Sequence, residues 1–186
     1  MTRSLRLLGL TAALAMPAVL TAQASSDKPV SFGVSGGLSL PLGDFGELRN
    51  SGYAVAGHLY FKPASLKAIR LRADAGYDRW DFDGANANTR NISFVGNVLY
   101  EVPMQSATSI TRPYLLGGLG LHSIKTTSGS GTFTNRSGDT NLGLQVGAGL
   151  TFQLSGFSTF AEAKLVNVFT EGQSTRYLPI TFGVRF

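Results

Sequence analysis

The chain has no cysteine, so neither a disulfide framework nor a cysteine-based metal site is open to it. Charged residues are scarce, at 15% against 43% hydrophobic, and there are only two histidines, His58 and His122, too few for a histidine-rich metal centre. After the first two dozen residues there is no apolar run long enough for a membrane helix, and the near-neutral hydropathy excludes a helical membrane bundle. Helical 3.6-residue periodicity is also missing. The formal net charge of +5 is spread along the chain without forming a basic face, so no nucleic-acid partner is expected. The 186 residues allow one domain of ordinary size and little room for two.

What is present begins with a leader. Arg3 and Arg6 precede an apolar stretch from Leu7 to Leu20, and Ala22-Gln23-Ala24 supplies the small-x-small pattern of a cleavage site. The stretch is shorter than the ~20 residues that a spanning helix needs. A cleaved signal peptide over 1–24 is expected, with export and a barrel domain over 25–186. No cysteine follows the site, so a lipoprotein anchor is excluded.

The rest of the chain alternates with period two. Val30, Phe32, Val34, Leu38 and Leu40 oppose Ser31, Gly33, Ser35, Gly37 and Ser39. Tyr53, Val55, Leu59 and Phe61 oppose Ala54, Ala56, His58 and Tyr60. Ile69, Leu71, Ala73, Ala75 and Tyr77 alternate with Arg70, Arg72, Asp74, Gly76 and Asp78. Ile92, Phe94, Val98 and Tyr100 alternate with Ser93, Val95, Asn97 and Glu101. A fifth segment, Pro113 to Lys125, has a parity break at Tyr114-Leu115-Leu116. A sixth is regular from Asn141 to Phe152. A seventh places Glu162 and Lys164 on one face, and the last carries Leu178, Ile180, Phe182, Val184 and Phe186 on the other. Turn chemistry separates them at Pro41-Leu42-Gly43-Asp44, Asp83-Gly84-Ala85-Asn86, Ser128-Gly129-Ser130-Gly131 and Ser155-Gly156. The expected fold is all-β: an eight-stranded antiparallel up-and-down transmembrane β-barrel.

Alternation does not by itself say which face meets water, since a soluble barrel would bury the apolar rows. Three features place them against lipid. Arg70, Arg72, Lys164 and Arg185 are matched in number by Asp74, Asp78, Glu101 and Glu162, as a narrow ion-paired lumen requires. With the N-terminus in the periplasm, Phe61, Tyr100, Tyr114, Phe152, Phe160 and Phe186 fall at one interface as an aromatic girdle. The last strand ends on Phe186, which resembles the signal read by the barrel-assembly machinery.

The stretches Leu40-Pro41-Leu42-Gly43-Asp44-Phe45, Arg112-Pro113-Tyr114-Leu115-Leu116-Gly117-Gly118-Leu119-Gly120, Phe160-Ala161-Glu162-Ala163-Lys164 and Thr181-Phe182-Gly183-Val184-Arg185-Phe186 carry a resemblance. In that order, the chain resembles the small eight-stranded outer-membrane barrels of the OmpA-transmembrane-domain, OmpX and opacity-protein type. The resemblance implies an outer-membrane location, with membrane lipid and lipopolysaccharide as neighbours. It also implies a barrel without the peptidoglycan-binding domain of full-length OmpA.

No catalytic, cofactor or metal site is expected. Some small barrels modify lipid A with His and Ser, but Ser123 is adjacent to His122 and so points to the opposite face. Gly117-Gly118-Leu119-Gly120 lacks the strand-then-helix setting of a phosphate loop, and inward glycine makes room for large side chains instead. Asp78, Asp81 and Asp83 lack the ligand spacing of a calcium loop. The expectation is a non-enzymatic barrel serving membrane integrity or surface interaction. Its outer loops, placed at 41–51, 81–90, 126–138 and 170–176, would do the contacting. Phe133 and Arg136 mark the best tip. The alternatives are a surface adhesin, a lipid A-modifying enzyme using His122, and a small pore.

Overall fold

The structure is a computed structural model that describes residues 29–47, 49–66, 68–82, 87–104, 110–128, 135–170 and 174–186. The leader over 1–24 and its cleavage site near Ala24 lie outside the described residues, as do Asp83 and Phe133. Eight strands follow in order: β1 (Val30–Leu42), β2 (Gly52–Phe61), β3 (Ile69–Asp81), β4 (Ala87–Glu101), β5 (Thr111–Ser128), β6 (Asn135–Gln153), β7 (Ser158–Phe169) and β8 (Ser174–Arg185). One 3-10 turn, Gly43–Phe45, follows β1, entered through Gly43 at a φ of 58° that suits glycine.

Each strand pairs antiparallel with its sequence neighbour, and β1 pairs with β8, so the sheet closes as β1-β2-β3-β4-β5-β6-β7-β8. The closing seam ends in two backbone bonds between Phe32 and Phe186, at 3.2 and 2.8 Å. Closure leaves no edge, which is what a sheet in hydrocarbon needs, because lipid offers no partner to an unpaired amide or carbonyl. Two successive pairs are interrupted. Pairing between β7 and β8 lapses at Lys164 and Leu165, opposite Leu178 and Pro179, and Pro179 has no N–H to give.

The period-two pattern fixes the faces. Phe32 (64% exposed), Phe94, Leu144, Val146 and Phe182 all point outward, while Arg72 (2% exposed) and Glu162 are sealed inside. Among the described residues no helix is long and apolar enough to cross a membrane; the strands do so. The parity of β5 is unbroken: Tyr114 and Leu116 both face the lumen and Leu115 faces out. Inward glycines do make room as expected. A Cβ at Gly149 would collide with the Tyr114 ring, and one at Gly183 with the Phe160 ring.

Two expectations are corrected. Tyr114 and Phe160 belong to no girdle; each is 4% exposed and fills the lumen, leaving Phe61, Tyr100 and Phe186 exposed at that interface. Their place in the strand ladder gives them inward parity, which outweighs their position near a strand end. The outer loops are also shorter than expected. Residues 87–90, 126–128, 135–138 and 174–176 are strand, leaving connections at 43–51, 82–86, 129–134 and 170–173. The Ser/Thr/Gly run after Lys125 extends a hairpin, pairing Lys125↔Gly138, Thr126↔Ser137, Thr127↔Arg136 and Ser128↔Asn135. Backbone pairing outweighs composition there, and threonine suits a strand.

Val146 sits near the middle of β6 on the lipid face. Val146→Arg should cost about 2–4 kcal/mol of stability in bilayers. Urea titration in lipid vesicles, read by heat-modifiable gel mobility, measures it.

Candidate functional site

The lumen is built in layers from the inward residues of all eight strands. At the end that carries the termini, Tyr60, Leu99, Tyr114 and Leu116 form an apolar layer. Arg70 pairs with Glu101 beside it at 2.9 Å, and the Arg185 guanidinium lies 5.4 Å from the centre of the Tyr60 ring. At the loop end, Phe45, Trp80, Val166, Val168 and Tyr177 form a second apolar layer. Trp80 packs edge-on against Phe45 and Tyr177 and donates from Nε1 to the Ser39 carbonyl at 3.0 Å.

Between these layers lies an ionic one. Arg72 donates to both oxygens of Glu162 at 2.7 and 3.0 Å, and its Nε lies 2.8 Å from Asp74 Oδ1. Lys164 Nζ lies 3.4 Å from Glu162 and 4.0 Å from Asp74. Two cations thus meet two carboxylates. The Tyr114 hydroxyl donates to Glu162 at 2.7 Å, and Asn97 donates to Asp74 at 2.9 Å and accepts from Gln145. Such mutual pairing is what lets charges stay buried. Asp78 departs from the expected pairing. It stands above this layer, accepting from Asn91 at 3.1 Å, and Asn91 also donates to the Tyr177 hydroxyl at 2.9 Å. A cavity of about 30 Å³ touches Asp74, Asp78, Lys164 and Tyr177. That is room for about one water molecule.

Sequence reasoning missed one constellation. Ser35 Oγ lies 2.8 Å from His58 Nε2, and His58 Nδ1 lies 2.7 Å from Asp74 Oδ1. That is the order and spacing of a serine–histidine–aspartate relay. The register explains it: His58 stands directly across from Asp74, and Ser35 on β1 stands across from Ala56, two residues along β2. Asp74 is shared with Arg72 and Asn97, so the carboxylate serves the ionic layer as well as the relay. The missing signal was cross-strand register, which a linear motif does not carry.

The other sequence candidates do not converge. His122 is buried, its Nδ1 3.3 Å from the Tyr177 hydroxyl, while Ser123 faces away from it on the other side of β5. Asp78 is buried in the lumen, and Asp81 is exposed outside, paired with Arg79 at 3.4 Å. Among the described residues no three His, Asp or Glu side chains could hold a metal ion. Gly118 stands against Asn97 in the wall and forms no phosphate loop.

At the loop-end rim, Arg49 joins two connections. Its guanidinium lies 4.2 Å from the Phe45 ring centre and 4.5 Å from that of Phe82. It donates to the Phe45 carbonyl and the Thr89 hydroxyl, both at 3.1 Å. Burial between the rings lowers its pKa from the ordinary guanidinium value. Arg49 also bridges Phe82 through its backbone, so the first connection is fastened over the Trp80 layer.

The sequence matches the family described as outer membrane protein beta-barrel domain over residues 11–186. Three solved structures share the fold. Neisserial surface protein A aligns with a TM-score of 0.64 at 17% identity, over 85% of this chain and 96% of that one. A major outer membrane protein from Thermus thermophilus gives 0.55 at 13% identity, over 86% and 99%. Ail, the attachment invasion locus protein of Yersinia pestis, gives 0.54 at 14% identity, over 84% and 97%. No curated protein sequence matches the chain.

Arg72 is the hub of the ionic layer. Arg72→Ala leaves Glu162 and Asp74 without their main counter-charge and should cost about 3–5 kcal/mol. The midpoint of urea unfolding in detergent micelles checks it.

Proposed function

The chain belongs to the outer membrane protein beta-barrel domain family, and from that premise we propose that it is a non-enzymatic barrel acting through its outer rim, in surface contact and envelope integrity. The observation that carries this is the filled lumen. Two apolar layers flank an ion-paired layer, and the cavity beside it among the described residues is about 30 Å³. Exchange with solvent and partners then falls to the rim, with the termini on the periplasmic side. There the β5–β6 hairpin is built from the longest strands, Thr111–Ser128 and Asn135–Gln153. Two barrels of the same fold carry names of surface and attachment proteins, which supports a contact role.

Cells lacking the protein should lose adherence to host-type surfaces or become sensitive to bile-salt detergent. A form with residues 129–134 replaced by Asn-Gly should restore folding and detergent resistance but not adherence. Unchanged adherence and unchanged resistance in the deletion strain would reject the reading.

The Ser35–His58–Asp74 relay favours a second reading, a serine hydrolase acting on a small ester. The small cavity weighs against it, since an ester is larger than water. Under this reading a fluorophosphonate probe labels the folded protein and fails to label Ser35→Ala. Absence of label on the folded wild type removes it.

A further inference from the structure

We propose that the outer face of β3–β5 is a binding surface for a phosphorylated glycolipid of the outer leaflet. Arg79, Arg90 and Lys125 take its phosphates, and a groove beneath them takes an acyl chain. The proposal rests on the membrane placement of the barrel and is independent of the rim contacts proposed above.

The first observation is register. Arg79 stands directly across from Arg90, and Arg90 directly across from Lys125. All three share the outward parity of Tyr77, Ile92 and Leu121, so three cations form one row over three adjacent strands. Strand spacing makes that row about 10 Å wide. Like charges directly opposite repel, which makes such a row costly unless an anion lies against it. The nearest acids by register do not neutralise it. Asp81 meets only Arg79, at 3.4 Å, and Asp139 beside Gly138 has inward parity. Among the described residues Arg90 and Lys125 have no ion pair.

The second observation is level. Immediately below Arg79 lies the outward Tyr77, whose ring centre is 6.1 Å from that of Tyr53. Exposed tyrosines of this kind mark the interface between hydrocarbon and headgroups. The cations therefore stand at the height of lipid phosphates. One step further out the row continues as Asp81, Asn88 and Thr127, polar groups suited to sugar hydroxyls.

The third observation is the groove. Directly beneath, the lipid face has an apolar groove of about 410 Å³, floored by Gly57 and Ala75 and walled by Val55, Tyr77, Ile92 and Phe94. The three tiers run apolar, cationic, polar from the membrane outward. That is the order of acyl chain, phosphate and sugar in a phosphorylated glycolipid such as lipopolysaccharide. Among the described residues, other rim cations lack that tiered order. Arg176, for example, is bound to Asn167 at 3.0 Å.

Native mass spectrometry of the full-length protein in micelles tests this, using bisphosphorylated lipid A, monophosphorylated lipid A and phosphatidylglycerol in competition. The bisphosphorylated form should be retained at least about tenfold over phosphatidylglycerol, with the monophosphorylated form between. Arg90→Gln should weaken its retention about fivefold, and the triple change Arg79→Gln, Arg90→Gln and Lys125→Gln should abolish the preference. Gly57→Leu should weaken retention of lipid A without impairing folding, because a Cβ at Gly57 meets nothing within 4 Å. A triple variant with the wild-type preference overturns the proposal. So does an acyl-free phosphorylated disaccharide that competes as well as lipid A, since the site would then read phosphate alone.

Discussion

Hydrocarbon offers no hydrogen-bond partner to a peptide group, and the rest of this molecule depends on that constraint. It forces the sheet to close on itself and leaves each strand with one face for lipid and one for the interior. Eight strands enclose a space that side chains just fill. The interior charges then have no solvent to retreat to, so they must satisfy one another. Arg72, Lys164, Asp74 and Glu162 do so, with Tyr114 and Asn97 supplying further donors. The ionic layer thus follows from closure, with apolar layers above and below it.

Much of this was legible in the linear chain. Period-two alternation marks two faces on most of the strands, leaving the parity of β5 open at Tyr114-Leu115-Leu116, and the balance of Arg and Lys with Asp and Glu on one face announces the ionic layer. What escaped was what depends on neighbours across the sheet. The Ser35–His58–Asp74 relay joins three strands through register alone. Tyr114 and Phe160 sit near strand ends, yet parity turns them inward, where Gly149 and Gly183 receive their rings. The apolar layer at the loop end was readable in principle, since Val166 and Val168 follow Lys164 at even steps and Trp80 follows Asp78. The ends of the β5–β6 hairpin were not readable, because Ser, Thr and Gly serve both turns and solvent-facing ladders.

The two faces divide the labour. The interior holds the shape: His58 is tied to Asp74, and Arg72 and Lys164 to Asp74 and Glu162. The exterior is uneven: large side chains stand beside Gly57 and Ala75, and Arg79, Arg90 and Lys125 form one row above that sector. An evenly oily wall would treat all lipids alike, whereas this one has a preferred side. The Arg49 clamp adds to this division by fastening the first connection over Trp80.

The bonds between Phe32 and Phe186 tie together positions nearly the whole chain apart. Every other strand pairing joins near neighbours in sequence and can form as a local hairpin. The last pairing must wait for the entire polypeptide, and its loop-closure entropy is the greatest in the molecule. Until it forms, β1 and β8 present two bare borders, each able to recruit a stranger's strand. Shutting the sheet is therefore the step with the largest entropic cost, and the open sheet, not the finished cylinder, is the form exposed to mispairing.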